Sequence, residues 1–249
     1  MVPVNSQEVG ASTAVIGNPS EKRRIFCFSE NNIVFLLPKT GKSNAMQLLR
    51  LSEEQKITEW TKFAEIFERI GLTGFYDMSE LEKTVPQSPC AINEDSGTAY
   101  KGALLTHINM SAAIAQRLLK IVSGTVRISE FSLLRVCYIM HLSKRLIFTD
   151  NDNEWEMRNL GRMFKFADNI EGVLSCGERS ALEALNNGVI LSPTEYEAIK
   201  IMDRNEEEKR LRQSPLSLIV RQANEMAYMV EKERFNILKE QKNGNKGNK

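Results

Sequence analysis

Two histidines, His107 and His141, are all this chain offers for imidazole chemistry. A histidine-rich metal centre is excluded by that count. Each stands beside aliphatic residues, His107 in segment 102–107 (GALLTH) and His141 in segment 139–142 (IMHL). On consecutive predicted helices such positions face a core, and a core histidine with one hydrogen-bond partner is the plain expectation. There are four cysteines, Cys27, Cys90, Cys137 and Cys176, with no C-x-x-C pair and no zinc-ligand spacing among them. Reduced thiols in a cytoplasmic setting are the expectation. Cys176 precedes a predicted helix start, where thiols become more acidic, so it has the type of a nucleophile with His107 or His141 as base. Nothing else in the sequence supports that role. Residues 39–43 (KTGKS) match the end of a phosphate-binding loop, but Leu36 stands where the pattern needs its first glycine. Without that glycine the backbone lacks the curl that cradles phosphate, and a surface turn is expected.

The elements that must position these residues are mainly helices. Ser52 with Gln55 makes a capping box for a helix to about residue 70, and Ser79 with Glu82 repeats the device on a shorter one. A long loop over 85–99 leads into a helix over about 102–122, whose apolar residues recur at helical period. Ser129 caps a helix predicted over 130–145, which carries His141. The stretch 147–167 is mixed and is expected to hold a small hairpin. A helix over 177–186 stops at Asn187-Gly188. Ser192-Pro193-Thr194-Glu195 is the strongest helix start in the chain, and Pro215 opens a final helix to about residue 239. Ahead of all these, residues 1–22 read as a flexible arm, and 23–48 as a small β element, with two apolar runs flanking Ser29-Glu30-Asn31-Asn32 over 24–37. The polar tail 241–249 is expected to fray.

With 249 residues, 42% apolar and 26% charged, the chain has the composition of a globular protein with a sizeable core. A formal net charge of +1 gives no electrostatic reason to expect nucleic acid or a membrane surface as partner. No apolar run reaches the length of a membrane span, and the first twenty residues lack the basic-then-apolar pattern of a secretory signal.

Five segments in order resemble the HD-domain phosphohydrolases, over about residues 75–234. GALLTHINMS resembles the family's G-G-L-L-E-H-S, RVCYIMHLSKR its L-L-H-D-L-C-K, and LSCGERSALEAL its G-H-G-E-K-S-V. ILSPTEYEAIKIMDR resembles I-x-L-T-x-E-E-x-x-A-I-R-W-H-M-G, and PLSLIVRQANEMAYMVEKER the final helix with its Ala-Asp step. The resemblance implies an α-helical HD-type bundle over residues 49–240 and a divalent metal held by an early histidine, the His-Asp pair and a late aspartate.

The departures from the pattern decide the expected function. His107 and His141 match, but Leu142 stands where the paired aspartate belongs, Cys176 and Met202 where further histidines belong, and Asn224 where the late aspartate belongs. Two neutral imidazoles and an amide hold Mg²⁺ or Mn²⁺ poorly, because these hard ions prefer carboxylate oxygen. Gly102, Gly177, Glu178, Ser180, Glu195, Ala198, Ile199 and Ala223 match the scaffold, and Glu178 and Glu195 are read as helix-start stabilisers. The expectation is a non-catalytic HD-type protein without cofactor or metal, acting in a larger assembly through protein partners or self-association. A phage virion component is one concrete form. The alternative is a phosphohydrolase with ligands rebuilt from Asp168, Asp203 or Glu225. The arm and the apolar 24–37 segment are the expected contact regions, since an exposed strand edge pairs readily with another chain. Deleting residues 1–37 should leave helicity unchanged by circular dichroism and abolish assembly by light scattering. Unchanged assembly would overturn that assignment.

Overall fold

The computed structural model describes residues 49–168, 170, 174–201 and 213–244. The arm, the 24–37 hairpin, the 39–43 turn, Cys27, Met202 and Asp203 lie outside the described residues. Those described are mostly helical, with one two-stranded antiparallel sheet.

Nine helices are described: α1 (Glu53–Arg69), α2 (Met78–Thr84), α3 (Ala103–Val122), α4 (Glu130–Ile139), α5 (Lys144–Ile147), α6 (Glu154–Asn159), α7 (Cys176–Asn186), α8 (Pro193–Lys200) and α9 (Pro215–Gly244). The strands are β1 (Phe148–Asp150) and β2 (Phe164–Phe166), with Phe148 opposite Phe166 and Asp150 opposite Phe164.

Local chemistry explains most of the helix starts. The capping boxes Ser52–Gln55 and Ser192–Glu195 form as the sequence predicts. A third, unpredicted box pairs Ser175 with Glu178 at the start of α7. The predicted start at Ser79 is displaced. Asp77 is the cap of α2 and its carboxylate accepts from the N–H groups of both Ser79 and Glu80, so Ser79 lies inside the helix. The predicted helix over 130–145 divides. α4 ends at Ile139, residues 140–143 turn, and α5 follows. His141 therefore stands in a turn. The predicted hairpin over 147–167 has paired strands, but α6 lies between them. The 85–99 loop carries two 3-10 turns, and α9 runs past residue 239 to Gly244.

α3 packs against α1, α4 and α9, and α9 also meets α8. Phe63 and Phe67 of α1 stack at 5.1 Å, and Phe63 lies 5.1 Å from Tyr138 of α4. The inward face of α3 carries Leu104, Leu105, Ile108 and Ala112, all buried, together with two buried polar residues, His107 and Ser111. Residues four apart share a helix face, so His107 and Ser111 point the same way. The same spacing rule puts Asn224, Tyr228 and Glu231 on one face of α9.

The loop ahead of α3 crosses α9 at Gly97. A Cβ there would stand 2.8 Å from the Glu231 carbonyl oxygen and 2.9 Å from Lys232 Cα, and the residue has φ of +75°. Only glycine meets both conditions at low cost. Gly97→Ala should therefore lower unfolding free energy by about 1–3 kcal/mol, read by urea denaturation. An unchanged midpoint would show that loop and helix separate without penalty.

Candidate functional site

Five segments bring a polar cluster into the apolar core: α3, the turn after α4, α5, α9, and the loop before α3. His107 Nδ1 lies 2.7 Å from Glu231 Oε2, and its Nε2 lies 2.8 Å from Asn224 Oδ1. His141 Nε2 lies 2.7 Å from the same amide oxygen. Ser111 Oγ stands 3.4 Å from His107 Nε2. The Tyr228 ring packs on the His107 ring with centroids 4.1 Å apart. His107 is 0% exposed, His141 4%, Asn224 5% and Glu231 5%.

An amide oxygen accepts and does not donate, so both imidazoles must present an N–H to Asn224 at Nε2. With Nε2 of His107 so used, its Nδ1 donates to the Glu231 carboxylate only if the ring is doubly protonated. The electrostatics agree. Burial pushes the His107 pKa down, but the charges of Cys90 and Glu231 and the hydrogen bond that His107 donates to Glu231 outweigh it, raising the value to about 9. His141 goes the other way. Burial, then the Lys144 and His107 cations, hold it well below 6.5 despite its bond to Asn224. One imidazolium and one neutral imidazole thus share one acceptor. Glu231 Oε1 is buried with no hydrogen-bond partner among the described residues, which leaves the ion pair with His107 to compensate its charge.

Lys144, at the start of α5, adds a second buried cation. Its Nζ donates to the Cys90 carbonyl at 2.9 Å, to the Tyr228 hydroxyl at 2.6 Å and to Cys90 Sγ at 3.3 Å. An ammonium has three N–H donors, and all three are engaged. Burial opposes the Lys144 charge, but Cys90 and Tyr228 override that and raise its pKa well above the ordinary value.

Of the residues singled out in the sequence, the fold brings together His107, His141 and Asn224. His107 has more partners than the single one expected for it. Leu142 is fully buried in the apolar core. Cys176 meets Ser143, whose Oγ lies 3.3 Å from the thiol and donates to the Cys176 carbonyl. Glu178 and Glu195 each accept from the backbone N–H of their cap serine, the helix-start role expected of them. Glu225 lies outward, 3.9 Å from Arg221. Sequence reading missed Glu231, Lys144 and Tyr228. The signal for two of them was present: four and seven residues after Asn224 lie on its helix face, and a glutamate there needs a buried partner.

The divalent ion that the resemblance implies does not fit these donors. The Asn224 oxygen engages both Nε2 atoms, and the nearest carboxylate, Glu231, bonds the far nitrogen of His107. Among the described residues no group of three or more His, Cys, Asp or Glu side chains is placed to hold a metal ion. Nor is any helix among them long and apolar enough to cross a membrane. What this geometry does is fasten helices. The bonds of His107 to Asn224 and Glu231 and of His141 to Asn224 join segments distant in sequence, and removing one partner of a buried charge pair costs about 3–5 kcal/mol. Comparison of the chain with family models, curated proteins and solved structures returned no match.

The two histidines bracket a pH optimum of stability. His107 has a raised folded pKa, so its contribution is complete below 6.5 and is lost as pH rises through about 9. His141 has a depressed folded pKa, so the folded state resists its protonation and loses stability as pH falls below 6.5. Urea midpoints should therefore peak near pH 6.5, with about 3 kcal/mol from His107 disappearing by pH 10. Glu231→Gln should flatten the alkaline limb and leave the acid limb. An unchanged alkaline limb in that variant would refute the ion pair.

Proposed function

We propose that this chain is a degenerate HD-type helical protein, retained as a structural or interaction component of a larger assembly, with a phage virion component as its concrete form. The observation that carries the reading is the Asn224 oxygen between His107 Nε2 and His141 Nε2. In an HD-type centre those positions would face a dication. Here an amide receives both imidazole N–H groups, and the positive charge comes from the protein's own His107 and Lys144. The five motif segments support the bundle reading, because their helices meet around this cluster: α3 and α9 carry His107 and Asn224, and α8 packs on both α4 and α9.

In this reading the cluster, its donors and acceptors engaged with one another, takes no part in phosphoester hydrolysis. The outward Glu225 lends no support to a rebuilt ligand set. A rigid helical scaffold with its polar core internally satisfied suits a role in which partners read the surface.

Calorimetric titration with Mn²⁺ should show no stoichiometric binding to the wild-type chain, and light scattering should give a mass above that of one chain. Stoichiometric metal lost on His141→Ala, or a monomer with every partner tried, would sink the proposal. Leu142→Asp with Asn224→Asp supplies the two missing carboxylates at buried positions. This variant should lose several kcal/mol, roughly the cost of uncompensated buried charge, and recover on adding Mn²⁺. Failure to recover would count against the alignment of these two positions.

A further inference from the structure

Cys90 and Lys144 lie 54 residues apart in the chain, yet Lys144 Nζ stands 3.3 Å from Cys90 Sγ. Both are buried, at 2% and 8% exposure. The Tyr228 hydroxyl touches each of them, 2.6 Å from Nζ and 3.3 Å from Sγ. The Cys90 carbonyl and the Tyr228 hydroxyl already give the ammonium two oxygen acceptors, so charge satisfaction alone does not call for a thiol as the third. What a thiol adds is chemistry. A cation beside a sulfur is one of the features that dispose a cysteine toward oxidation, and here it acts on a thiol that is 2% exposed. Nitrogen can trap an oxidised sulfur, as a backbone nitrogen does in forming a sulfenamide, and an amine is the stronger nucleophile.

We propose that Cys90 and Lys144 are the two ends of a reversible covalent link, closed when a hydroperoxide oxidises the thiol. In the first step the sulfur attacks hydrogen peroxide. The O–O bond breaks, one oxygen stays on sulfur as the sulfenic acid, and the other leaves as water. Sulfur is oxidised by two electrons and the peroxide is reduced by two. In the second step, oxidation having removed the sulfur's support for the ammonium, Lys144 gives one proton to the water formed in the first step and attacks the sulfur. An N–S bond forms and the S–O bond breaks. The hydroxyl leaves as a second water with another proton from nitrogen. The product is a sulfenamide. A dithiol reverses it, returning thiol and amine as it becomes a disulfide.

Cys137, the other fully buried thiol, lacks this arrangement. Cys137 has no cation against it, and burial pushes its thiol up to about 12. Cys176 has a serine hydroxyl beside its sulfur. Closure would tie the loop before α3 to α5 and remove the Lys144 charge that opposes protonation of both histidines. The redox state of one thiol would then reach the ion pair of His107 with Glu231. This inference is independent of the HD-type reading.

The test is mass spectrometry of the full chain after hydrogen peroxide, digested without reductant. The Cys90 peptide should appear joined to the Lys144 peptide, lighter by two hydrogens than their sum, and should separate on adding dithiothreitol. Cys90→Ser should abolish the joined species. Lys144→Arg should abolish it too and leave a sulfenic acid at Cys90 that a cyclic 1,3-dione captures. The wild-type digest decides the matter even if either variant fails to fold. The proposal is overturned if Cys90 stays reduced, goes only to sulfinic or sulfonic acid, or pairs with another cysteine. A joined species heavier by one oxygen overturns the direct N–S bond.

Discussion

Burying a cation in an apolar core costs far more than any single contact returns unless an anion and enough acceptors are waiting there. Much of this protein's interior follows from that constraint. Once His107 sits on the inward face of α3, Glu231 must come from α9 to neutralise it, and Asn224 must accept its second N–H. Those two demands fix the rotation of α9 about its own axis. They also set its register, because two residues seven apart must meet one imidazole. Aliphatic packing tolerates small slips between helices, whereas a pair of hydrogen bonds at 2.7 and 2.8 Å does not. The apolar contacts supply most of the attraction between α3 and α9, and the polar cluster selects one arrangement among those the apolar surfaces would allow.

The same constraint accounts for the opposite behaviour of two histidines whose ring centroids are 4.9 Å apart. Their local sequences look alike, each a histidine beside aliphatic residues. What separates them is the carboxylate on one side and the ammonium on the other. Glu231 touches only His107, so that ring takes the charge. His141, facing Lys144 and a charged neighbour, does not. Asn224 accommodates the difference because its oxygen has two lone pairs and makes no demand about charge.

Helix positions and helix starts were largely legible in the sequence, because they depend on neighbours within four residues. Ser52, Ser129 and Ser192 cap helices as their spacing indicates. The errors share a cause. At Asp77 a stronger acceptor two residues upstream takes over the start from Ser79. After Ile139 the chain turns although its apolar pattern continues, because Ser143 bonds across to α7, its N–H donating to Ser180 Oγ at 3.1 Å. That is a tertiary contact with no local trace. The cluster was half legible. His107, His141 and Asn224, singled out together in the sequence, do meet in the structure. Glu231, Lys144 and Tyr228 fell outside the matched ligand positions. Identifying them needed the burial of their helix faces, which periodicity suggests and only packing decides.

The hydrogen bonds from His107 to Asn224 and Glu231 span 117 and 124 residues, and the one from His141 to Asn224 spans 83. α9 is also the last of these elements to be synthesised. During synthesis both histidines emerge well before the residues that satisfy them, and an unpaired imidazole has little reason to leave water. The face of α3 that bears His107 therefore stays hydrated until α9 arrives, and the core closes as a late, non-local event. Contacts of such long sequence separation slow folding. A nascent chain of this protein waits, with its inner surface open, for α9, the last of the described helices. That interval is when a neighbouring chain or a chaperone has access to the apolar faces of α3 and α4.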